Sequence, residues 1–212
     1  MKKLILTLSL IASTASLHAA SVSINNHSFE NGANVPAPGN WNTNTPEDWN
    51  AYGSKGMQAD AVPPAGTDGA IFGFLQGGGT GNLNGGSFTQ DITTAVGGTI
   101  NPGDTFTLTL AALNQNVSPS FDFDIRDNAD PSTGNSLIGG TQQSGTVSGA
   151  WADYVVAGTV DTASSSVFLV INTNGNQVRV DNVRLDLVQV PEPSSTALLG
   201  LGGLALILRR RK

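Results

Sequence analysis

The chain has 212 residues, 26 of them glycine, with no cysteine and only 12% charged residues, so disulfide frameworks and thiol chemistry are both excluded. Of its ten basic residues only Lys55, Arg126, Arg179 and Arg184 lie away from the two ends, where they meet all of the sixteen acids except Glu192. So acidic a stretch repels phosphate backbones and excludes nucleic acid as a partner.

The first twenty residues, MKKLILTLSLIASTASLHAA, set Lys2 and Lys3 before a short apolar run and finish on small residues. That is the pattern of a secretory signal peptide with a cut near Ala20. Residues 21–189 are long enough to bury a single core and are read as one domain. No apolar period of 3.6 residues is sustained there, and strict alternation takes its place. Two stretches read as long loops: residues 32–65, rich in Pro, Asn and Trp, and the glycine-rich LQGGGTGNLNGGS at 75–87. In DTFTLTLA, Phe106, Leu108 and Leu110 share one face, and Thr105, Thr107 and Thr109 the other. In SFDFDIRD, Phe121, Phe123 and Ile125 alternate with Asp122, Asp124 and Arg126, which predicts those two acids on a solvent face. SSVFLVIN is continuously apolar, as in a central strand covered on both sides. Turn signals stand at NPGD (101–104), DNADPSTGN (127–135) and NTNGNQ (172–177), the Asn-Gly of the last predicting a hairpin. The fold class is all-β: a single β-sandwich of jelly-roll type.

The inventory for catalysis is thin. His27 is the only histidine beyond the signal peptide and has no nucleophile motif around it, and the glycine-rich stretch lacks the Lys-Ser/Thr ending of a phosphate loop. Carboxylates are numerous enough for glycoside hydrolysis on residue type alone. In QVRVDNVRLDL, however, Val178 and Val180 keep one phase while Val183, Leu185 and Leu187 take the other. The slip at Asp181-Asn182 predicts a β-bulge that re-aims a side chain.

NNHSFENG at 25–32, SFTQDITTAVGGTINPGDTFTLTLAAL at 87–113 and VRVDNVRLDLV at 178–188 together resemble the galactose-binding-like jelly roll of many carbohydrate-binding modules. The resemblance implies that Glu30 and Asp181 help hold a structural Ca²⁺, with backbone carbonyls completing its shell of six to eight oxygens. Either acid capping a turn is the alternative. It also implies sugar recognition, for which the aromatic candidates are Trp41, Trp49 and Tyr52, set among Asn40, Asn42, Asn44, Glu47, Asp48 and Asn50, together with Trp151 beside Tyr154. The alternative for a tryptophan is to pack one end of the sandwich.

Residues 190–212 read VPEPSSTALLGLGGLALILRRRK. The apolar part, residues 197–208, makes a helix of about 18 Å against a hydrocarbon core of about 30 Å, too short for a good permanent anchor. Pro191-Glu192-Pro193, the short apolar helix and the cluster Arg209, Arg210 and Arg211 resemble the PEP-CTERM sorting signal of Gram-negative bacteria. The resemblance implies recognition by an exosortase-type enzyme, transient residence in the inner membrane, and delivery to the cell surface or an extracellular, biofilm-type matrix. The resulting expectation is a non-catalytic, exported protein that binds or embeds in exopolysaccharide or another matrix component. A structural or adhesive protein-binding module is the first alternative, and a small polysaccharide-active enzyme the second.

Overall fold

The computed structural model describes residues 19–77, 86–114, 120–174 and 177–190. These form twelve strands and no helix: β1 (Ala19–Val22), β2 (Trp41–Asn42), β3 (Asn50–Tyr52), β4 (Ser54–Ala59), β5 (Ile71–Gln76), β6 (Ser87–Asp91), β7 (Thr105–Asn114), β8 (Ser120–Arg126), β9 (Gln142–Gln143), β10 (Ala152–Thr159), β11 (Phe168–Asn174) and β12 (Val178–Val188). They pair antiparallel into two sheets. Sheet A runs β10-β7-β12-β5-β4-β2, with β1 added beside β12, and sheet B runs β3-β6-β11-β8-β9. The architecture is a β-sandwich, as the alternating pattern predicts.

The core lies between the inner faces. Sheet A contributes Met57, Ile71, Leu75, Phe106, Leu108, Leu110, Val180 and Leu185, and sheet B contributes Phe88, Phe121, Phe123, Ile125, Leu169 and Ile171. An aromatic group closes one end. The Phe29 ring stacks on Trp49 at 5.6 Å and tilts against Phe88 at 5.3 Å. Phe29 sits at φ +60, a conformation bulky residues avoid. Its surroundings hold it there. The Phe29 amide donates to the Asn26 carbonyl, and the Asn26 side-chain amide donates to the carbonyls of Asn31 and Glu47. Gly73 makes the approach of the rings possible, because a Cβ there would lie 2.6 Å from Phe88 and 3.0 Å from Phe29.

Three expectations fail. Residues 32–65 contain β2, β3 and β4 and are not a plain loop. Their strands are short edge or near-edge segments, and Gly56 and Lys55 mask the inward Met57 and Ala59. Secondly, NTNGNQ is not a hairpin: β11 and β12 lie in different sheets, so the chain crosses from one layer to the other. Thirdly, Asp122 and Asp124 are buried, at 3% and 1% exposure. Residues 1–18 of the expected signal peptide (1–20), the middle of the glycine-rich stretch (78–85) and residues 191–212, where the sequence predicts a short apolar helix, lie outside the described residues.

Replacing Gly73 with Ala is expected to lower stability by about 1–3 kcal/mol through overpacking. The measurement is a lower urea midpoint at unchanged denaturant slope. A midpoint equal to wild type would show that the Phe29 and Phe88 rings have room to move.

Candidate functional site

Three places gather chemistry. The first is where β12 changes phase. Asp181 pairs with Ala111 of β7, the next paired residue is Arg184 with Thr109, and Asn182 takes φ +50. This is the β-bulge predicted at Asp181-Asn182. The irregularity leaves the Val183 amide free of the ladder, and it donates to the carbonyl of His27 at 3.0 Å. Asp181 is fully buried. Its carboxylate accepts backbone amides from Asp68 at 2.6 Å and Asn182 at 2.7 Å. Glu30 accepts the Ile71 amide at 2.7 Å, so both acids grip the segment entering β5. Burial first, then the negative charges of Asp68 and Glu30, push Asp181 up to about 7 despite those two amides. His27 faces Asp68 at 3.6 Å.

The two acids named from the sequence are thus neighbours, although 151 positions separate them. Their donor chemistry suits Ca²⁺, which takes hard carboxylate and carbonyl oxygens. Among the described residues no group of three or more His, Cys, Asp or Glu is set to hold a metal, so the further oxygens would have to be carbonyls.

The aromatic candidates separate. Trp49 is 4% exposed, with its indole N–H donating to the Asn26 carbonyl at 3.1 Å. It is a core residue and presents no ring face to a ligand, because its bulk fills the end of the sandwich. Trp41 stands at the rim of sheet A, 66% exposed. Trp151 is half-buried, edge-on to Phe72 at 5.3 Å. Tyr52 is half-buried in sheet B. Trp41 and Tyr52 therefore belong to different sheets.

The third place was not legible in the sequence. Across the outer face of sheet B, strand register aligns Tyr52, Ser87, Asn172, Asp122 and Gln143 in one row. Asn50, Thr89, Val170 and Asp124 form the next. Such a row places a side chain about every 4.8 Å. Ser87, Thr89, Asn172 and Asp122 have almost no solvent exposure. Yet Ser87 Oγ, Thr89 Oγ1, Asp122 Oδ1 and both amide atoms of Asn172 have no hydrogen-bond partner. Asp124 differs: Arg126 donates to one of its oxygens at 2.8 Å and Ser136 to the other at 2.7 Å. Arg126 is itself held by the carbonyls of Pro131 and Gly134. Burial, then the charge of Asp124, push Asp122 up to about 6. The only sequence signal for this floor was the alternation of Asp122 and Asp124, which gives phase but not cover.

A model of the PEP-CTERM protein-sorting motif matches residues 189–212. Pro191, Glu192, Pro193, Arg209, Arg210 and Arg211 fall within this match and outside the described residues. No curated protein matches the chain. Among solved structures, the apo form of a cyclase from Fischerella sp. is similar, with a TM-score of 0.57 at 14% identity, over 82% of this chain and 98% of that one. The CBM22-1 xylan-binding domain of Paenibacillus barcinonensis Xyn10C is similar with a TM-score of 0.50 at 15% identity, over 84% of this chain and all of that one. At such identities the likeness is one of fold, and that fold hosts a cyclase in one case and a xylan binder in the other.

Asp122 makes stability depend on pH. Its folded value lies above the unfolded 3.8, so the folded state holds the extra proton between the two. Its contribution is therefore favourable below about pH 4 and is lost as pH rises through about 6, by up to about 3 kcal/mol at 1.36 kcal/mol per unit. Urea unfolding from about pH 4 to about pH 8 should show a smaller fall for Asp122→Asn than for wild type. Parallel curves would mean that Asp122 titrates normally in the folded protein.

Proposed function

We propose that this chain is an exported, non-catalytic protein of the cell surface or extracellular matrix that binds a neutral polysaccharide on the outer face of sheet B. Its PEP-CTERM motif marks it for sorting toward the cell surface. Exosortase processing and a brief stay in the inner membrane follow from that motif as the route of delivery. The observation that carries the binding reading is the row of unpartnered polar atoms on Ser87, Thr89, Asn172 and Asp122, which are closed to water in this structure and which a bound polysaccharide would have to reach.

The floor selects its partner by chemistry. Each buried polar atom left without a bond costs about 1–3 kcal/mol. An apolar protein surface laid on this floor would leave those costs in place, which disfavours an adhesive protein–protein module. A chain of hydroxyl groups, each both donor and acceptor, relieves them. Asp124 is offset by Arg126, but Asp122, ionised above about pH 6, repels anionic chains, so the polymer is neutral. The half-buried Tyr52 and the exposed Gln143 stand at the two ends of this row. Below about pH 6 the Asp122 carboxyl is protonated and can donate as well as accept. The same property would serve an acid catalyst, which is why loss of chain length is monitored in the binding test.

The test is titration of the full chain with soluble xylan, mixed-linkage β-glucan and galactan. Asn172→Leu keeps the volume and removes both amide partners, so it is expected to weaken binding at least tenfold while leaving the melting temperature unchanged or higher. Binding by the variant equal to wild type, or binding by neither, would overturn the assignment. Shortening of the polymer would replace it with the enzyme reading.

In the same reading, Glu30 and Asp181 hold a structural Ca²⁺ that relieves the crowding of carboxylates at the bulge. A chelator is then expected to lower the melting temperature of the wild type, and Glu30→Ala or Asp181→Ala to abolish that sensitivity. A wild type indifferent to chelator carries no such ion.

A further inference from the structure

The outer face of sheet A carries a second cluster of aromatic and amide groups, of which Trp41 and Gln76 are exposed. Trp41 on β2 is paired with Gln58 of β4, and its indole stands edge-on to Phe74 of β5 at 6.4 Å. Trp41, Phe74, Gln58, Gln76 and Gln177 line a cleft of about 220 Å³. The backbone is shaped for it. Gly56 stands opposite Phe74 in the register, and a Cβ there would lie 2.7 Å from the Phe74 ring. Without that atom the ring lies across β4 and reaches Trp41. Next to Phe74 on β12, Arg179 is stacked over Phe72 at 5.1 Å, and its Nε is buried with no partner.

Phe72 and Phe74 stand apart from the apolar cluster between the sheets, so this aromatic row belongs to the outer surface of sheet A. An indole face with three primary amides around it is the chemistry of a pyranose site: the C–H face of a sugar stacks on the ring and its hydroxyls bond the amides. A purely apolar partner would fit poorly, because it would strip water from three glutamines.

From this geometry we infer that the protein has two glycan sites facing opposite ways, one on each sheet, and that it cross-links neutral polysaccharide chains. This rests on the sheet B reading above. The two packed sheets stand about 10 Å apart, with a full layer of side chains beyond each outer face. A single extended chain cannot lie on both faces at once, so double occupancy joins two chains. Linking two modest sites in one body raises avidity without any new contact.

Light scattering of the full chain mixed with soluble xylan, mixed-linkage β-glucan and galactan tests this, alongside tryptophan fluorescence and binding stoichiometry. Sedimentation of the protein alone excludes self-association as the source of any network. The wild type is expected to aggregate the bound polymer, with scattering that rises and then falls as protein is added in excess. Trp41→Ala, which alters an exposed side chain, should keep about half the sites and lose the aggregation. Gln58→Ala should act in the same direction. Asn172→Leu should also lose aggregation while keeping the fluorescence change at Trp41. If Trp41→Ala and Gln58→Ala aggregate polymer as well as wild type, the second site is refuted and the sheet B reading stands. If Trp41→Ala abolishes all binding and Asn172→Leu changes nothing, the sheet B reading falls and the cross-linking with it. Absence of binding to all three polymers removes both.

Discussion

One residue too many in β12 organises this molecule. The strand must present apolar side chains to the core along its whole length, yet Val178 and Val180 differ in phase from Val183, Leu185 and Leu187. Only a bulge satisfies both halves, since a regular strand would turn one set outward. The bulge lets β12 pair with β7 throughout, with β5 before the irregularity and with β1 after it. It also sends the Val183 amide to His27, which fixes the segment carrying Phe29 and Glu30. The end of the domain thereby positions its beginning, in a chain with no disulfide to do so.

The cost of that arrangement is Asp181. A carboxylate fully buried beside Glu30 and Asp68 is unfavourable unless it is protonated, hydrogen-bonded or paired with a cation. Two backbone amides offset part of the cost. The remainder is visible as its rise toward neutrality. Such a site favours whatever removes negative charge, a proton or a divalent ion.

How much of this was legible depended on whether a property is local. Alternation in residues 105–110 and 120–126 gave β7 and β8 their phase, and the slip at Asp181-Asn182 located the bulge, because side-chain direction follows directly from spacing. Cover is not local. Asp122 and Asp124 point away from the core as the pattern requires, yet they are enclosed, and nothing within five residues of them announces that. Partner choice is not local either. Asn-Gly at 174–175 is a turn signal in the sequence, but β11 already has β6 and β8 on its two edges, so β12 joins the other sheet. Trp49 and Trp41 sit in equally polar company in the sequence, and only the packing of Phe29 and Phe88 makes one core and leaves the other exposed.

In the proposed reading the two outer faces meet a glycan with different chemistry. Sheet B offers a floor of short side chains whose hydrogen-bonding groups are already stripped of water, which favours directional bonds and specificity. Sheet A offers an exposed indole and flexible glutamines, which favour broad, shallow contact. The chain enters and leaves the sandwich together, since Ala19 pairs with Val188 and the sorting motif begins at the next residue. An attachment made through that motif would hold the domain at a single point. β1 and β12, which meet at that point, belong to sheet A, and the polar row lies entirely in sheet B.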